Sequence, residues 1–482
     1  MLQTPDIPSI PLPIWIMANN HFSCRELGDI ATNMQTKLDE KNTFFRTLNP
    51  VLRIVHEGGS SQCGEDINSL AEIEPAMVLQ LELTHGEYSL SLIPGTDTAL
   101  IRVPTTVPGS VARHLADSLY QFFVPEQVLH ALLLKSQSVQ DPSIDDFLNA
   151  QPPGSVEQLE QQLARAAKPS PAYHLTFSLF SATGAPSSWE VQKALDIHVR
   201  PLIGAVAAIA DIDVATQVQL YSSYSPSIKP VQEDNEFYIQ QKDLTAFVNA
   251  AEWPLSPSIG LGPTLNFIVY VPNEDQIPLG IECSSSHGWL VPQWGAISIL
   301  NPTLTSHTAN GRHTLPLRLS EDNLRPAFDS FASQLVSLLG IPEFTGHHSL
   351  PLRLRAYKRF MGLALSSKAS SGLASLARVA GRLQQIPIPK HVAQLVDTSL
   401  ANITAFTAAS KEARWNDAVE HAADAYVDSE KAFFDKSMVG QVYFPDEHKV
   451  AVYLPLLGPI GVPLLVGLLR EVKRFVTMRK SS

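Results

Sequence analysis

The sequence predicts a mixed α/β (α+β) domain, a helical region after it, and one transmembrane helix near the carboxyl end. Three observations carry that prediction. Apolar runs of strand length alternate with amphipathic stretches up to residue 319. From Ser320 onward the apolar residues recur with a helical period. Residues 450–469, VAVYLPLLGPIGVPLLVGLL, hold no charge, no amide, no Ser or Thr and no His. At about 1.5 Å per residue they match the hydrocarbon layer of a bilayer, about 30 Å. The expected divisions are 1–170 (N-terminal part of the domain), 171–319 (its α/β core), 320–449 (helical region), 450–469 (span) and 470–482 (basic tail).

Composition limits the function classes. The 482 residues are 44% apolar and 17% charged, with 36 prolines. That is enough for a packed core, and too little charge for a charge-rich disordered chain or a coiled coil. Lys and Arg number 35 against 47 Asp and Glu, a net charge of −12. Such a chain has no general electrostatic pull toward nucleic acid. Three cysteines build neither a disulfide framework nor a zinc ribbon.

The elements follow in order. In the first 70 residues the pattern is mixed: residues 31–48 suit a helix, and Gly58-Gly59-Ser60-Ser61 a loop. Residues 77–83 and 88–93 flank Thr84-His85-Gly86-Glu87, which predicts a hairpin. Residues 111–123 have helical spacing after Pro108-Gly109. Residues 136–170 are polar and proline-bearing, a surface excursion with a short helix over 156–167. A strand over 174–180, an amphipathic helix over 189–209 and a strand over 211–221 make an α/β unit. Strands are predicted at 265–271, 279–283 and 296–300. Ser320 is a good N-cap, with Glu321 and Asp322 in the first turn where the helix dipole favours acids. Gly340 and Pro342 end that helix. Helices over 352–383, 389–411 and 414–436 follow, the last with a core-facing stripe of Trp415, Ala418, Ala422, Tyr426, Ser429 and Phe433. No internal repeat is visible.

Within the apolar run Pro455, Pro459 and Pro463 stand four apart, on one helix face. Lipid tolerates them where neighbouring helices repack the gap. Gly458, Gly461 and Gly467 permit close approach. The run is either a merely kinked span or one that packs against other membrane helices. Arg470, Lys473, Arg474, Arg479 and Lys480 follow it against one acid, Glu471. The positive-inside rule then places this tail in the cytosol and the 449 residues before the span on the lumenal side. No signal peptide is legible before that bulk, because the apolar stretch 10–17 is short and holds Pro11 and Pro13. Two expectations stay open: a tail-anchored chain with its bulk in the cytosol, or a sequence that lacks its true N-terminus.

Chemistry is sparse. The sequence has no Gly-Lys-Ser/Thr loop, no Gly-x-Gly-x-x-Gly after a strand, no His-Glu-x-x-His and no Gly-x-Ser-x-Gly. His347-His348 reads as a surface pair, and Ser284-Ser285-Ser286-His287 as a polar loop rather than a nucleophile with its base. Cys24, Cys63 and Cys283 lie in no recognisable nucleophile context. In an oxidising lumen one pair can bridge, Cys24 with Cys63 being one option. Asn402-Ile403-Thr404 is an acceptable glycosylation sequon, on a helix that leaves it partly exposed. On motifs alone, a membrane-anchored interaction protein is the default.

Two blocks add a resemblance. Residues 429–435 (SEKAFFD) and 442–449 (VYFPDEHK), leading into VAVYLPL, closely resemble the carboxyl end of the PIG-S family. Residues 265–272 (LNFIVYVP), Pro278-Leu279, 292–296 (PQWGA) and Asn301 look like that family's second block. Gln293 stands where the family usually has Arg, and Ala296 where it often has Gly. A weaker similarity covers residues 189–222. The family pattern has a first membrane helix that this sequence lacks, so a truncated start is expected over a one-span protein.

The resemblance implies a non-catalytic subunit of the glycosylphosphatidylinositol (GPI) transamidase of the endoplasmic reticulum membrane. That complex removes a C-terminal signal from a precursor and joins the new carboxyl group to the GPI anchor. Implied partners are the caspase-like catalytic subunit, PIG-T, PIG-U, the GPI attachment subunit and membrane lipid. No catalytic residue, metal or cofactor is implied here. The expected role is scaffolding, with Trp294, Tyr443 and Phe444 as aromatic anchors at partner or membrane boundaries and Pro455, Pro459 and Pro463 in the shared membrane part. Competing expectations are the tail-anchored cytosolic adaptor, and a lumenal hydrolase using Cys283 or a serine near His287.

Overall fold

The computed structural model describes residues 10–18, 22–42, 48–56, 63–85, 88–104, 108–137, 141–233, 236–248, 253, 262–307, 312–343, 349–382, 388–436 and 446–480. The chain divides into two compact units: Met1–Ser366 with Thr404–Ala423, and Ser367–Ile403 with Asp424–Ser482.

The first unit opens with a strand that the two prolines had concealed. In β1 (Ile10–Ala18) the aliphatic Ile10, Leu12, Ile14 and Ile16 alternate with Pro11, Pro13 and Trp15, and all four aliphatic side chains are buried. That is the period of a strand. Helix α1 (Cys24–Lys41) starts on a reciprocal capping box of Ser23 and Glu26. It ends seven residues short of the predicted 48, because Leu48 opens β2 (Leu48–His56). Then come β3 (Glu65–Asp66), β4 (Met77–Thr84), β5 (Ser89–Leu92) and β6 (Thr98–Pro104). The sheet order is β3-β2-β1-β4-β6-β5, parallel except for β5. The predicted hairpin of residues 77–83 with 88–93 is therefore wrong. Strand β6 enters between the two, pairing parallel with β4 and antiparallel with β5. Pro11 and Pro13 are tolerated because β4 joins β1 only from Ile14↔Met77. The carbonyl of Pro13 takes the Ala76 N–H at 2.7 Å, so proline's missing donor points to where β4 has not yet begun. The Cys24–Cys63 bridge forms and ties α1 to the segment after β2.

Helix α2 (Pro108–Ser136) runs beyond the predicted 123, and α3 (Pro142–Asn149) and α4 (Ser155–Arg165) fill the expected surface excursion. A second sheet follows. β7 (Ala172–Ser181) and the short β8 (Ser188–Trp189) precede a broken helix. That helix is α5 (Val191–Ala194), a π turn (Leu195–Val199) and α6 (Arg200–Val206), where one helix over 189–209 was predicted. Next are β9 (Asp211–Gln219), β10 (Val231–Glu233), β11 (Glu236–Ile239) and β12 (Thr264–Val271). β13 (Leu279–Ile281) stops before the predicted 283 because Cys283 takes a left-handed backbone, φ 56°. β14 (Gly288–Val291), β15 (Gly295–Ile299), β16 (Thr305–His307), β17 (Arg312–Thr314) and β18 (Arg318–Leu319) complete the strands. The main sheet has the order β14-β15-β12-β7-β9.

This sheet repeats the first. Read from the other edge, it is β9-β7-β12-β15-β14 beside β2-β1-β4-β6-β5. In each, four parallel strands end on one antiparallel edge strand that precedes its partner in the chain. A helix also joins the first two strands of each. No sequence repeat announced this, since shared topology requires only matching periods, not matching residues.

Strand alternation splits the second sheet's core in two. Phe177 and Phe267 stack at 4.9 Å and meet Phe328 and Phe331 of helix α7 (Glu321–Leu339) on one face. Phe180, Phe247, Trp253, Ile268 and Tyr270 form the core of the other face. Ser320 caps α7 as predicted, in a box with Asn323, and Gly340 closes it at φ 79°. Helices α8 (Leu350–Arg382), α9 (Lys390–Lys411) and α10 (Trp415–Phe433) fall within a few residues of the predicted bounds.

In the second unit Leu376, Val392 and Ala432 form a small core, joined by Ser399 Oγ to the Ala425 carbonyl at 2.8 Å. Helix α11 (Asp446–Lys480) contains the predicted span. Among the described residues no helix is long and apolar enough to cross a membrane. The expected transmembrane helix over 450–469 is thus unsupported there. Side chains at 450–452, 456 and 458 lie outside the described residues, and the described apolar run is unbroken only over 459–469. Its rise of about 16 Å is half of a hydrocarbon layer.

Candidate functional site

The residues that suggested chemistry gather where β15 ends. A cavity of about 430 Å³ lies there, lined by Ser285, Ser286, His287, Ser298, Asn301 and, from α7, Pro326 and Ser330. Its serines largely serve the turn. Ser284 Oγ accepts the Ser286 N–H at 3.1 Å, and Ser286 Oγ donates to the Gly288 carbonyl at 2.9 Å. The His287 carbonyl accepts the Ile299 N–H at 2.8 Å, which fixes the loop on the strand. No hydrogen bond joins the His287 ring to a serine among the described residues, and no carboxylate lines the cavity. A nucleophile–base–acid relay needs both contacts. Cys283 is exposed beside this loop. Among the described residues no group of three or more His, Cys, Asp or Glu is placed to hold a metal. His347-His348 lies outside the described residues.

The second-block residues are structural in their contacts. Asn301 clamps β13: its Oδ1 accepts the Leu279 N–H and its Nδ2 donates to the Leu279 carbonyl, both at 2.9 Å. Gly295 sits at φ 153°, where an added Cβ would lie 1.9 Å from the Asn266 carbonyl oxygen, so only glycine fits. Gln293 donates to the Ala164 carbonyl at 3.2 Å, tying the turn to α4. Trp294, expected as an anchor, is half-buried against the aromatic core of Phe247 and Trp253. Asn402 is half-buried on α9. Tyr443 and Phe444 lie outside the described residues. Pro455, Pro459 and Pro463 are exposed on α11.

Sequence reasoning missed a buried cluster of charged and titratable groups. Arg359 of α8 and Glu126 of α2 form a buried two-pronged ion pair, Nε–Oε1 2.6 Å and Nη2–Oε2 2.8 Å. His130, one turn on, is fully buried with both ring nitrogens unpartnered. Burial drives its pKa down to about 4, against a smaller upward pull from Glu126 4.0 Å away. Arg355 and Lys358 continue the face, pairing with Asp97 and with Glu74 (2.8 Å). Spacing i, i+3, i+4 thus turns three cations of α8 toward three acids of the first sheet's half. The spacing of the three cations, and that of Glu126 with His130, was available from the sequence; the pairing between them was not.

The fold defines a class: an α/β protein built on a mixed five-strand pattern used twice and continued into long helices. The family model for phosphatidylinositol-glycan biosynthesis class S protein (PIG-S) matches residues 3–478. The chain belongs to the PIG-S family. It is 26% identical over 493 residues to the GPI transamidase component PIG-S homolog of Schizosaccharomyces pombe, covering 98% of this chain and 83% of that protein. It is 29% identical to the human GPI-anchor transamidase component PIGS, over 66% of this chain and 59% of the human protein. The GPI transamidase component GPI17 of Saccharomyces cerevisiae is 27% identical over 63% of this chain and 58% of its own length.

Proposed function

We propose that the chain is a non-catalytic scaffold subunit of a GPI transamidase complex in the endoplasmic reticulum. The single observation that carries this is the family match over residues 3–478, with relatives from yeasts and mammals all named as transamidase components. The serines around His287 support a structural role, since they hold the loop instead of forming a relay. The proposed partners are the caspase-like catalytic subunit, PIG-T, PIG-U and the GPI attachment subunit. Helix α11 is proposed as the membrane anchor. Its support is the exposed apolar surface of Leu454, Leu457, Ile460, Leu464, Leu465 and Leu468, which water does not favour. Basic residues follow it. Trp294, Tyr443 and Phe444 are proposed as boundary anchors.

Deleting the gene tests the reading: GPI-anchored proteins should leave the cell surface, and normal surface levels would refute it. A Cys283→Ala, His287→Ala chain should restore them fully. Failure of that variant to do so, with the complex still assembled, would make this subunit catalytic. Release of the full chain by alkaline carbonate would remove the anchor.

A further inference from the structure

The two equivalent sheets treat their outer edge strands differently. In the first, the open side of β2 is closed from end to end. Asn42 Nδ2 donates to the Leu48 carbonyl at 2.8 Å. The Gln35 side chain donates to the Pro50 carbonyl at 2.8 Å and accepts the Leu52 N–H at 3.0 Å, as a neighbouring strand would. β3 then pairs with Val55 and His56. In the second sheet, β9 holds the same edge position with none of these covers among the described residues.

β9 is nine residues long, DIDVATQVQ, and pairs with β7 without a break from Ala172↔Asp211 to Phe180↔Gln219. It has no bulge, proline or lysine of the kind that blunts an edge, and its only charges, Asp211 and Asp213, stand at one end. The Asp211 N–H points inward, to the Pro171 carbonyl at 2.9 Å. Alternation along a strand then turns the N–H and C=O groups of Ile212, Val214, Thr216 and Val218 outward. The same four residues carry a β-branched stripe, of which Val214, Thr216 and Val218 are exposed. The near end is acidic: Asp211 and Asp213 are exposed, Asp213 lies 3.6 Å from the His174 ring of β7, and the strand itself holds no cation.

We propose that β9 is a docking edge that takes one extended strand from another subunit of the complex. The backbone ladder selects a strand. The stripe selects apolar side chains at alternate positions, and Asp211 with Asp213 select a basic residue at that end. This rests on the reading of the chain as a transamidase subunit. A second copy of this chain is the competing occupant.

The test uses the full chain as the sole copy in cells, with p-benzoyl-phenylalanine at position 214 or 218, and purification of the complex after irradiation. The expected product is a covalent adduct to one other subunit, absent when the probe sits at position 157 on α4. Thr216→Pro removes an outward N–H and leaves the bonds to β7, so it should cut recovery of that subunit at least tenfold. Val218→Lys, which changes only a side chain, should do the same if proline disturbs the fold. Full recovery with both variants, or no adduct at either position, overturns the docking edge. An adduct between two copies of this chain overturns the choice of partner. If no transamidase subunit co-purifies even with the unmodified chain, the functional reading itself fails, which is a different result.

Discussion

Burying Arg359 beside Glu126 removes two charges from water, and the two-pronged geometry recovers the loss only while both partners stay. Glu126→Ala leaves a buried guanidinium alone and should cost about 3–5 kcal/mol. Glu126→Leu with Arg359→Met should cost much less than either single change; equal costs in urea unfolding would deny the coupling. His130 adds a pH dependence. Its pKa of about 4 in the fold lies below the ordinary 6.5, so the unfolded chain binds the extra proton between those values. Stability should be full above pH 6.5 and fall by about 3 kcal/mol as pH drops to 4. His130→Leu should flatten that part of the profile, and an unchanged slope in thermal unfolding would contradict it. Little of this was legible. Glu126 and His130 share a helix face by spacing, but Arg359 is 233 residues away from Glu126, and no local pattern encodes such a partner. Asn301 and Gly295 were legible as a motif, and only the folded chain shows that one clamps β13 and the other avoids a collision.

Elements were legible where a period ran unopposed. Helices α7 to α10 and strands β7, β9, β12 and β15 follow from spacing and caps, because nothing local competes with them. β1 was missed because two prolines outweighed the period-2 signal of Ile10, Leu12, Ile14 and Ile16, and their tolerance depends on where β4 begins. The hairpin was misread for a related reason: period and turn residues do not tell which strand a third one will separate. The Cys24–Cys63 bridge is the covalent device of this half. It spans 39 positions, and closing a loop of that length constrains the unfolded chain by about 4 kcal/mol in the entropic account. Cys24→Ser with Cys63→Ser should therefore lower stability by about 2–4 kcal/mol. Denaturation with and without reductant measures it: the wild type should move to the variant's midpoint on reduction, and the variant should not move.

The repeated strand order raises the question of whether the two sheets are independent domains. The long-range bonds within the first unit argue otherwise. The Ala167 N–H donates to the Leu338 carbonyl at 2.7 Å, so the segment between the sheets is held by the last helix of the second. Ser349 bonds the Thr96 carbonyl, Arg355 pairs with Asp97, Lys358 with Glu74 and Arg359 with Glu126, each joining α8 to the first sheet's half. The Glu74 N–H reaches the Ala413 carbonyl at 3.2 Å, and Trp415 is buried within the same unit. Residues after 349 thus supply partners that the first sheet's half lacks without them. Such distant contacts also make folding slow, because long loops must close before their contacts form. Cooperative unfolding should follow. Trp15 reports the first sheet and Trp253 the aromatic core of the second. In variants keeping only one of these tryptophans, fluorescence should give coincident urea transitions, and Arg359→Met should shift both equally. Separate midpoints, or a shift confined to Trp15, would make the two sheets autonomous and reduce α8 to a tether.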